Sequence, residues 1–314
     1  MDRHLSTDTA QRTTLLGFVY ALIAYGLWGA FPLYFAILDS VSPLEIVAHR
    51  VIWSLAFMLI VIAVTRGWRR LAVVLRTRRS LVILGLASIA ITINWTTYVY
   101  AVSIDQVVDA SLGYFINPLV SVALGVVILR ERLRRAQWSA VAVAAGGVII
   151  IGLGALAVPY IGLILAFSFG SYGLLKKMAE VNAIPGLTIE TLFLFPFAAA
   201  VLALAEIQGN AAFIVDGPEI SLLLLLLGPI TAIPLLAYVG GANRLPLTTL
   251  GIMQYTTPTI LLLLGITVFG ESVSAVEWIG FGLIWGALAI FSLDALRHAK
   301  RPNIADDLEV TAPT

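Results

Sequence analysis

The chain has 314 residues, 60% of them hydrophobic and 12% charged, with a mean hydropathy of +0.98; no water-soluble core can absorb that much apolar surface, so lipid must be the solvent. A formal net charge of +1 excludes the strongly basic domain that nucleic acid favours, and the absence of cysteine excludes disulfides, thiolate metal sites and cysteine nucleophiles. Two of the three histidines, His4 and His298, lie in polar tails, so neither a histidine metal cluster nor a cofactor is expected.

A hydrocarbon core about 30 Å thick needs roughly 20 apolar residues per helix. After a polar tail at 1–14, such runs fall at 15–37, 44–65, 80–101, 107–129, 136–156, 159–175, 187–206, 220–239, 247–269 and 275–294, and a second polar tail fills 295–314. With the N-terminus inside, 18 of the 19 Lys and Arg fall on the cytoplasmic side, among them Arg66, Arg69, Arg70, Arg76, Arg78 and Arg79 in one loop and Arg130, Arg132, Arg134 and Arg135 in another. The exception, Arg50, lies inside a span. Basic loops resist translocation, so the asymmetry predicts a multi-pass protein of the bacterial inner membrane with both termini cytoplasmic. The first run has no small-residue cleavage site behind a short apolar stretch and reads as an uncleaved span.

Sliding the chain on itself by 140 residues places Tyr98 on Tyr238, Pro118 on Pro258, Glu131 on Glu271 and Trp138 on Trp278; a shift of 141 sets Trp28-Gly29 on Phe169-Gly170. Each copy then holds five helices, and an odd number makes the second copy enter the membrane from the opposite face. The expected fold is an all-α integral membrane protein of ten transmembrane helices in two inverted five-helix repeats, 15–156 and 157–294.

The segment Val41-Ser-Pro-Leu-Glu-Ile-Val-Ala-His-Arg50, then Asn94-Trp95, Ala110-Ser-Leu-Gly-Tyr-Phe-Ile-Asn-Pro118, Gly170-Ser-Tyr-Gly-Leu-Leu-Lys176, Glu190-Thr191, Gly228-Pro-Ile-Thr-Ala-Ile-Pro234, Arg244-Leu-Pro-Leu-Thr-Thr-Leu-Gly251 and Phe269-Gly-Glu271 together resemble the RarD family, a branch of the EamA-domain drug/metabolite transporters. The similarity spans roughly residues 14–296. The resemblance implies two EamA repeats and secondary transport across the inner membrane, in a family often labelled chloramphenicol-related permeases.

Several intramembrane residues are candidates for such work. Pro118, preceded by Asn117, and Pro258, preceded by Thr256 and Thr257, occupy matching places and predict paired helix interruptions, either at a central site or as packing kinks. Asp109, Gly113, Asn117, Ser121 and Gly125 recur every four residues, a ridge that either lines a path or forms a close-packing seam. Arg50, six or seven residues deep, calls for a partner, with Glu45, Asp105 and Asp109 at the right depth. His49 and, by the 141 shift, Glu190 near the two mouths are candidate proton carriers or headgroup-zone polar residues, since imidazole titrates near neutrality and a desolvated carboxyl can. Asn94, Tyr98, Tyr114, Gln254 and Tyr255 complete the polar set that could line a mid-membrane pocket. Gly282 and Gly286 read as a helix-packing pair. No Walker A pattern is present. The expectation is therefore a secondary-active transporter of a small organic solute, metabolite or drug-like, exporting it by alternating access with possible proton coupling. The partners would be that solute, protons and membrane lipid, with no nucleic acid and the chain a monomer or homodimer. The rival is an intramembrane lipid-modifying enzyme, disfavoured because its ionisable residues are scattered singly.

Overall fold

The computed structural model describes residues 2–38, 40–103, 107–153, 160–209, 211–268 and 273–299, and every described element is helical. In chain order these are α1 Asp2–Phe35, α2 Pro43–Val64, α3 Trp68–Arg76, α4 Arg78–Ser103, α5 Val107–Val127, α6 Arg135–Leu153, α7 Tyr160–Ala179, α8 Ala183–Ile207, α9 Ala212–Val215, α10 Pro218–Ala242, α11 Leu247–Met253, α12 Thr256–Thr267 and α13 Ala275–Ala299, with a 3-10 turn at Ala36–Leu38. Eight helical stretches among the described residues are long and apolar enough to span a bilayer, α11 and α12 counting as one, and two shorter apolar helices, Gly113–Val127 and Trp278–Asp294, complete ten.

Local sequence explains the boundaries. Pro43 opens α2 at a position where its missing N–H costs nothing, while the Ser42 side chain accepts from Glu45 N at 3.3 Å. The chain leaves α2 through Arg66 at φ 51, a left-handed residue that stops the helix. The loop expected at 66–79 contains α3, a short amphipathic helix that buries Leu71 and leaves Arg69 and Arg70 exposed. It is built to lie along a membrane surface.

Packing follows the repeat. Writing α1, α2, α4, α5 and α6 as the first copy and α7, α8, α10, α11–α12 and α13 as the second, the contacts between copies map onto themselves when the copies are exchanged. Thus α4 against α7 matches α10 against α1, α5 against α7 matches α12 against α1, and α2 against α10 matches α8 against α4. The pairs α2–α8, α5–α11 and α6–α13 map onto themselves. That closure is the signature of a pseudo-two-fold axis in the membrane plane. In lipid no hydrophobic force draws helices together, so close approach at small residues does. A Cβ on Gly113 would press on Gly162 O, one on Gly147 on Gly280 O, and one on Gly251 on Pro118 O. By contrast Gly282 and Gly286 face open space, so the packing glycines of α6 and α13 are Gly147 and Gly280 rather than the pair expected from spacing. Exposed Leu22, Ile60, Val82, Ile89, Phe197 and Leu222 form the lipid-facing surface.

Two details correct the sequence expectation. Pro118 does not interrupt its helix; it sits inside an unbroken α5, where the carbonyl of Tyr114 simply loses its usual donor. Its counterpart region does break, between α11 and α12, at Gln254 and Tyr255. The Pro258 ring crowds the Gln254 carbonyl four residues back, and that carbonyl instead accepts from Thr257 N at 3.1 Å while Tyr255 N turns to Ile252 O at 3.2 Å.

Candidate functional site

The loops carrying Arg66–Arg79 and Arg130–Arg135 share one face of the bundle, here called the basic face. A cavity of about 160 Å³ lies between the repeats, in the half of the spans nearer the opposite face. The distal half of α1 contributes Phe31, Pro32 and Phe35, the first turns of α2 give Val47 and Arg50, and α4 gives Asn94, Trp95 and Tyr98. Gly113, Tyr114 and Asn117 of α5 face it, as do Gln254 at the α11–α12 break and Thr257, Pro258 and Leu261 of α12. Both repeats therefore build its wall.

Toward the basic face the cavity ends on a buried aromatic cluster. Trp28 packs on Phe169 at 5.5 Å and on Tyr238 at 5.6 Å between ring centroids, and Tyr172 stacks on Tyr238 at 6.1 Å and 21°. Tyr25 joins Trp28 at 5.8 Å and donates its hydroxyl to Leu250 O at 3.0 Å, while Thr257 Oγ1 donates to Tyr25 O at 3.0 Å, stitching α1 to both halves of the broken helix. Beyond the rings, Lys176 Nζ meets Glu190 Oε1 at 2.5 Å with both side chains buried, and Tyr172 donates to Glu190 Oε2 at 3.3 Å. Farther out, the Glu131 carboxylate accepts from Leu247 N at 2.7 Å and Thr248 N at 2.9 Å, an acid at the N-terminus of α11 where the helix dipole favours it. These three layers close the basic side.

Of the residues expected from sequence, Arg50, Asn94, Tyr98, Tyr114, Asn117, Gln254 and Pro258 come together at the cavity. Asn94 is partly committed, since Nδ2 donates to Leu165 O at 2.9 Å and Ser168 Oγ at 3.1 Å. Asn117 Oδ1 is buried without a hydrogen-bond partner among the described residues. The other candidates lie elsewhere. Tyr255 is fully buried among Phe115, Ala144 and Phe281 because the helix break turns it away from Gln254 and into the α5–α6–α13 core. His49 accepts from Trp53 Nε1 through Nδ1 at 3.1 Å, so Nε2 carries its proton in the neutral ring and faces Glu45 Oε1 at 3.7 Å. Glu190 sits in the basic-face closure, well away from the cavity lining. Asp105 and the side chain of Asp109 lie outside the described residues. The α5 ridge divides: Gly113 and Asn117 line the cavity, whereas Ser121 and Gly125 pack against Gly251 and Thr248.

The partner expected for Arg50 is not Glu45, whose Oε1 is held by Ala212 N at 2.7 Å. Instead the guanidinium stands 4.6 Å from the Trp95 ring centroid, with Phe31 at 5.8 Å and Phe35 at 5.7 Å, and Nε donates to Thr231 Oγ1 at 3.0 Å. Sequence reasoning missed the aromatic wall of Tyr25, Trp28, Phe31, Trp95 and Phe169, since an aromatic in a span reads equally well as lipid-facing. The repeat register, which pairs Trp28 with Phe169, carried the available signal. It also missed Lys176, read as a loop base but buried in the last turn of α7.

A two-fold pair of five-helix bundles around a largely aromatic and apolar cavity with a few polar groups, closed on its basic side, fits a polytopic membrane transporter. The sequence profile of the EamA-like transporter family matches residues 15–153 and again 156–293. Protein RarD of Streptomyces exfoliatus is 42% identical over 310 residues, 99% of this chain and 97% of that one. The uncharacterized transporter YojE of Bacillus subtilis is 43% identical, covering 91% and 97%, and Protein RarD of Escherichia coli K12 is 40% identical, covering 93% and 99%. A solved structure described as a crystal structure of a protein superposes with a TM-score of 0.68 at 20% identity, covering 91% of this chain and 98% of the other, which shows the fold. The chain belongs to the RarD branch of the EamA-like transporters, a membrane transporter of the drug/metabolite superfamily.

Proposed function

We propose that this protein is a secondary-active exporter of a small organic solute, working by alternating access with the central cavity as the solute site. The observation that carries the reading is the asymmetry of one cavity lined by both repeats: a cavity around Arg50 in one half of the spans, three layers of closure in the other. Exchange of the two repeats' conformations about their two-fold axis would open the basic side and close the far side. The basic loops support a cytoplasmic placement for that side and for both termini in the bacterial inner membrane, and on that placement the cavity lies in the outer half of the spans. In an export cycle a cavity in that half would discharge its solute outside. Proton coupling is supported by the Lys176–Glu190–Tyr172 group, a buried ionisable cluster inside the closure that must separate from its surroundings when the basic side opens. A lining of amides, phenols, indoles and one guanidinium suits binding rather than the bond breaking of a lipid-modifying enzyme.

The chain contains no cysteine, so single cysteines report accessibility without background. Val47→Cys marks the cavity and Thr248→Cys the site sealed beneath Glu131. A membrane-impermeant maleimide should reach Val47→Cys only from the face opposite the Arg loops and Thr248→Cys only from the basic face. In the double variant, prior labelling at Val47→Cys should suppress reaction at Thr248→Cys. Reactivity at Thr248→Cys that ignores the label in the cavity would refute alternating access. Solute-driven pH change in proteoliposomes tests the coupling, and indifference of transport to pH and to Glu190→Gln would reject it. Metabolite pools compared between overproducing and deleted cells test the direction.

A further inference from the structure

Arg50 is the one formally charged group among the described residues that line the cavity, and it has no counter-charge among them. Neither of the ion pairs among the described residues, Arg134–Asp294 and Lys176–Glu190, involves it, and nor does the contact of neutral His49 with Glu45. Among the described residues its single hydrogen bond leaves from Nε, and Nη1 and Nη2 have no acceptor there. Flanking rings attract a cation but do not neutralise it: each such contact is worth about 0.5–2 kcal/mol, against several kcal/mol for taking an ion out of water. A guanidinium with both terminal nitrogens free is the matched receptor for a carboxylate, which takes two parallel N–H bonds.

We propose that the cavity binds a monoanionic organic carboxylate with an aromatic or branched apolar body, its carboxylate on Arg50 Nη1 and Nη2 and its body on Trp95, Trp28 and Phe169. This rests on the reading of the cavity as the solute site and adds its chemical class. One cationic group balances one negative charge; a phosphate monoester near −2 would carry an uncompensated charge into the cavity. An amine or zwitterion would need an acid for its ammonium, and none lines the wall among the described residues. A neutral solute would leave the guanidinium unpaired. At 10–15 Å³ per water-sized group, 160 Å³ admits on the order of ten non-hydrogen atoms. A benzene ring with a three-carbon acid is that size.

The test is equilibrium binding to the purified full chain in detergent at pH 7, read from tryptophan fluorescence, since Trp28 and Trp95 face the cavity. The probes are 3-phenylpropionate, 3-phenyl-1-propanol, 3-phenylpropylamine and phenyl phosphate. We expect saturable binding of the carboxylate, tighter than that of the other three by about 10- to 100-fold, the value of a charge-assisted pair. Arg50→Gln should lose that margin, and Arg50→Lys, which keeps the charge but not the fork, should retain part of it. Absence of carboxylate binding to the wild type, equal or tighter binding of the alcohol, amine or phosphate, or an unchanged affinity in a folded Arg50→Gln variant would each overturn the proposal. If Arg50→Gln elutes as an aggregate, the wild-type probe series alone decides. Failure here with intact reciprocal labelling at Val47→Cys and Thr248→Cys rejects the carboxylate and leaves the transporter; the reverse pattern rejects alternating access and leaves the binding site.

Discussion

Replacing Glu190 by Gln strands the Lys176 ammonium inside the protein. The two side chains are 2% and 3% exposed and 2.5 Å apart. Coulomb attraction at that distance is about 7 kcal/mol for an effective dielectric of about 20, and most of it is offset by the desolvation of two ions. Net stabilisation by the intact pair is therefore small. Removal of one partner is another matter: it leaves the desolvation cost of the survivor and loses the attraction, about 3–5 kcal/mol. For a chain of this size that is a fall on the order of 10 °C in thermal midpoint. Lys176→Met should cost a similar amount by stranding the carboxylate. The double variant Lys176→Met/Glu190→Leu should recover to within about 2 kcal/mol of the wild type, the residue being chiefly the Tyr172 hydroxyl that loses its acceptor. Thermal midpoints in detergent, read by the temperature dependence of monodisperse elution, measure the full cycle. A double variant that falls by the sum of the two singles would show that the charges act independently, and the reasoning would fail.

Glu131→Ala removes the acceptor of two backbone N–H groups at the start of α11, and should cost about 1–2 kcal/mol while raising the maleimide reactivity of Thr248→Cys from the basic face. Gly228→Ala drives a methyl into the Trp53 carbonyl where α2 and α10 touch, and should lower stability by about 1–3 kcal/mol, measured by thermal midpoint. Gly286→Ala meets nothing within 4 Å and should be neutral or stabilising by up to about 1 kcal/mol in the same assay. Tyr25→Phe deletes the hydroxyl held by Leu250 O, and a loss of about 1 kcal/mol is expected by the same measurement.

The cavity and its closure make different demands on their residues. Arg50, Asn117 and Gln254 need open donors or acceptors, and Asn117 Oδ1 is left unpaired in a protein that pairs almost every other buried polar atom described. Tyr25, Tyr172, Glu131 and Glu190 are instead fully engaged. In the proposed alternating-access cycle, a closure built from several discrete bonds and stacked rings would separate as a unit, as a two-state gate requires.

Depth was legible in the sequence. Hydropathy located the spans. The 140-residue register exposed the repeat. Because the polar residues of a span are few and costly, most of those singled out, including Arg50, Asn94, Tyr114 and Asn117, do meet at one cavity. Azimuth and partnership were not legible. Lipid and neighbouring helices are equally apolar, so periodicity cannot tell which face of a membrane helix meets protein. That is why Gly147 and Gly280, rather than Gly282 and Gly286, proved to be the packing residues, and why Lys176, at the end of its helix, was found buried against Glu190. Matching prolines likewise had unmatched effects, since the same lost N–H is absorbed in α5 but breaks the helix before Pro258, where a tight turn takes up the Gln254 carbonyl. Only the packing of one repeat against the other decided that Arg50 stands among aromatic rings with no carboxylate beside it among the described residues, and that the cavity lies in one half of the spans.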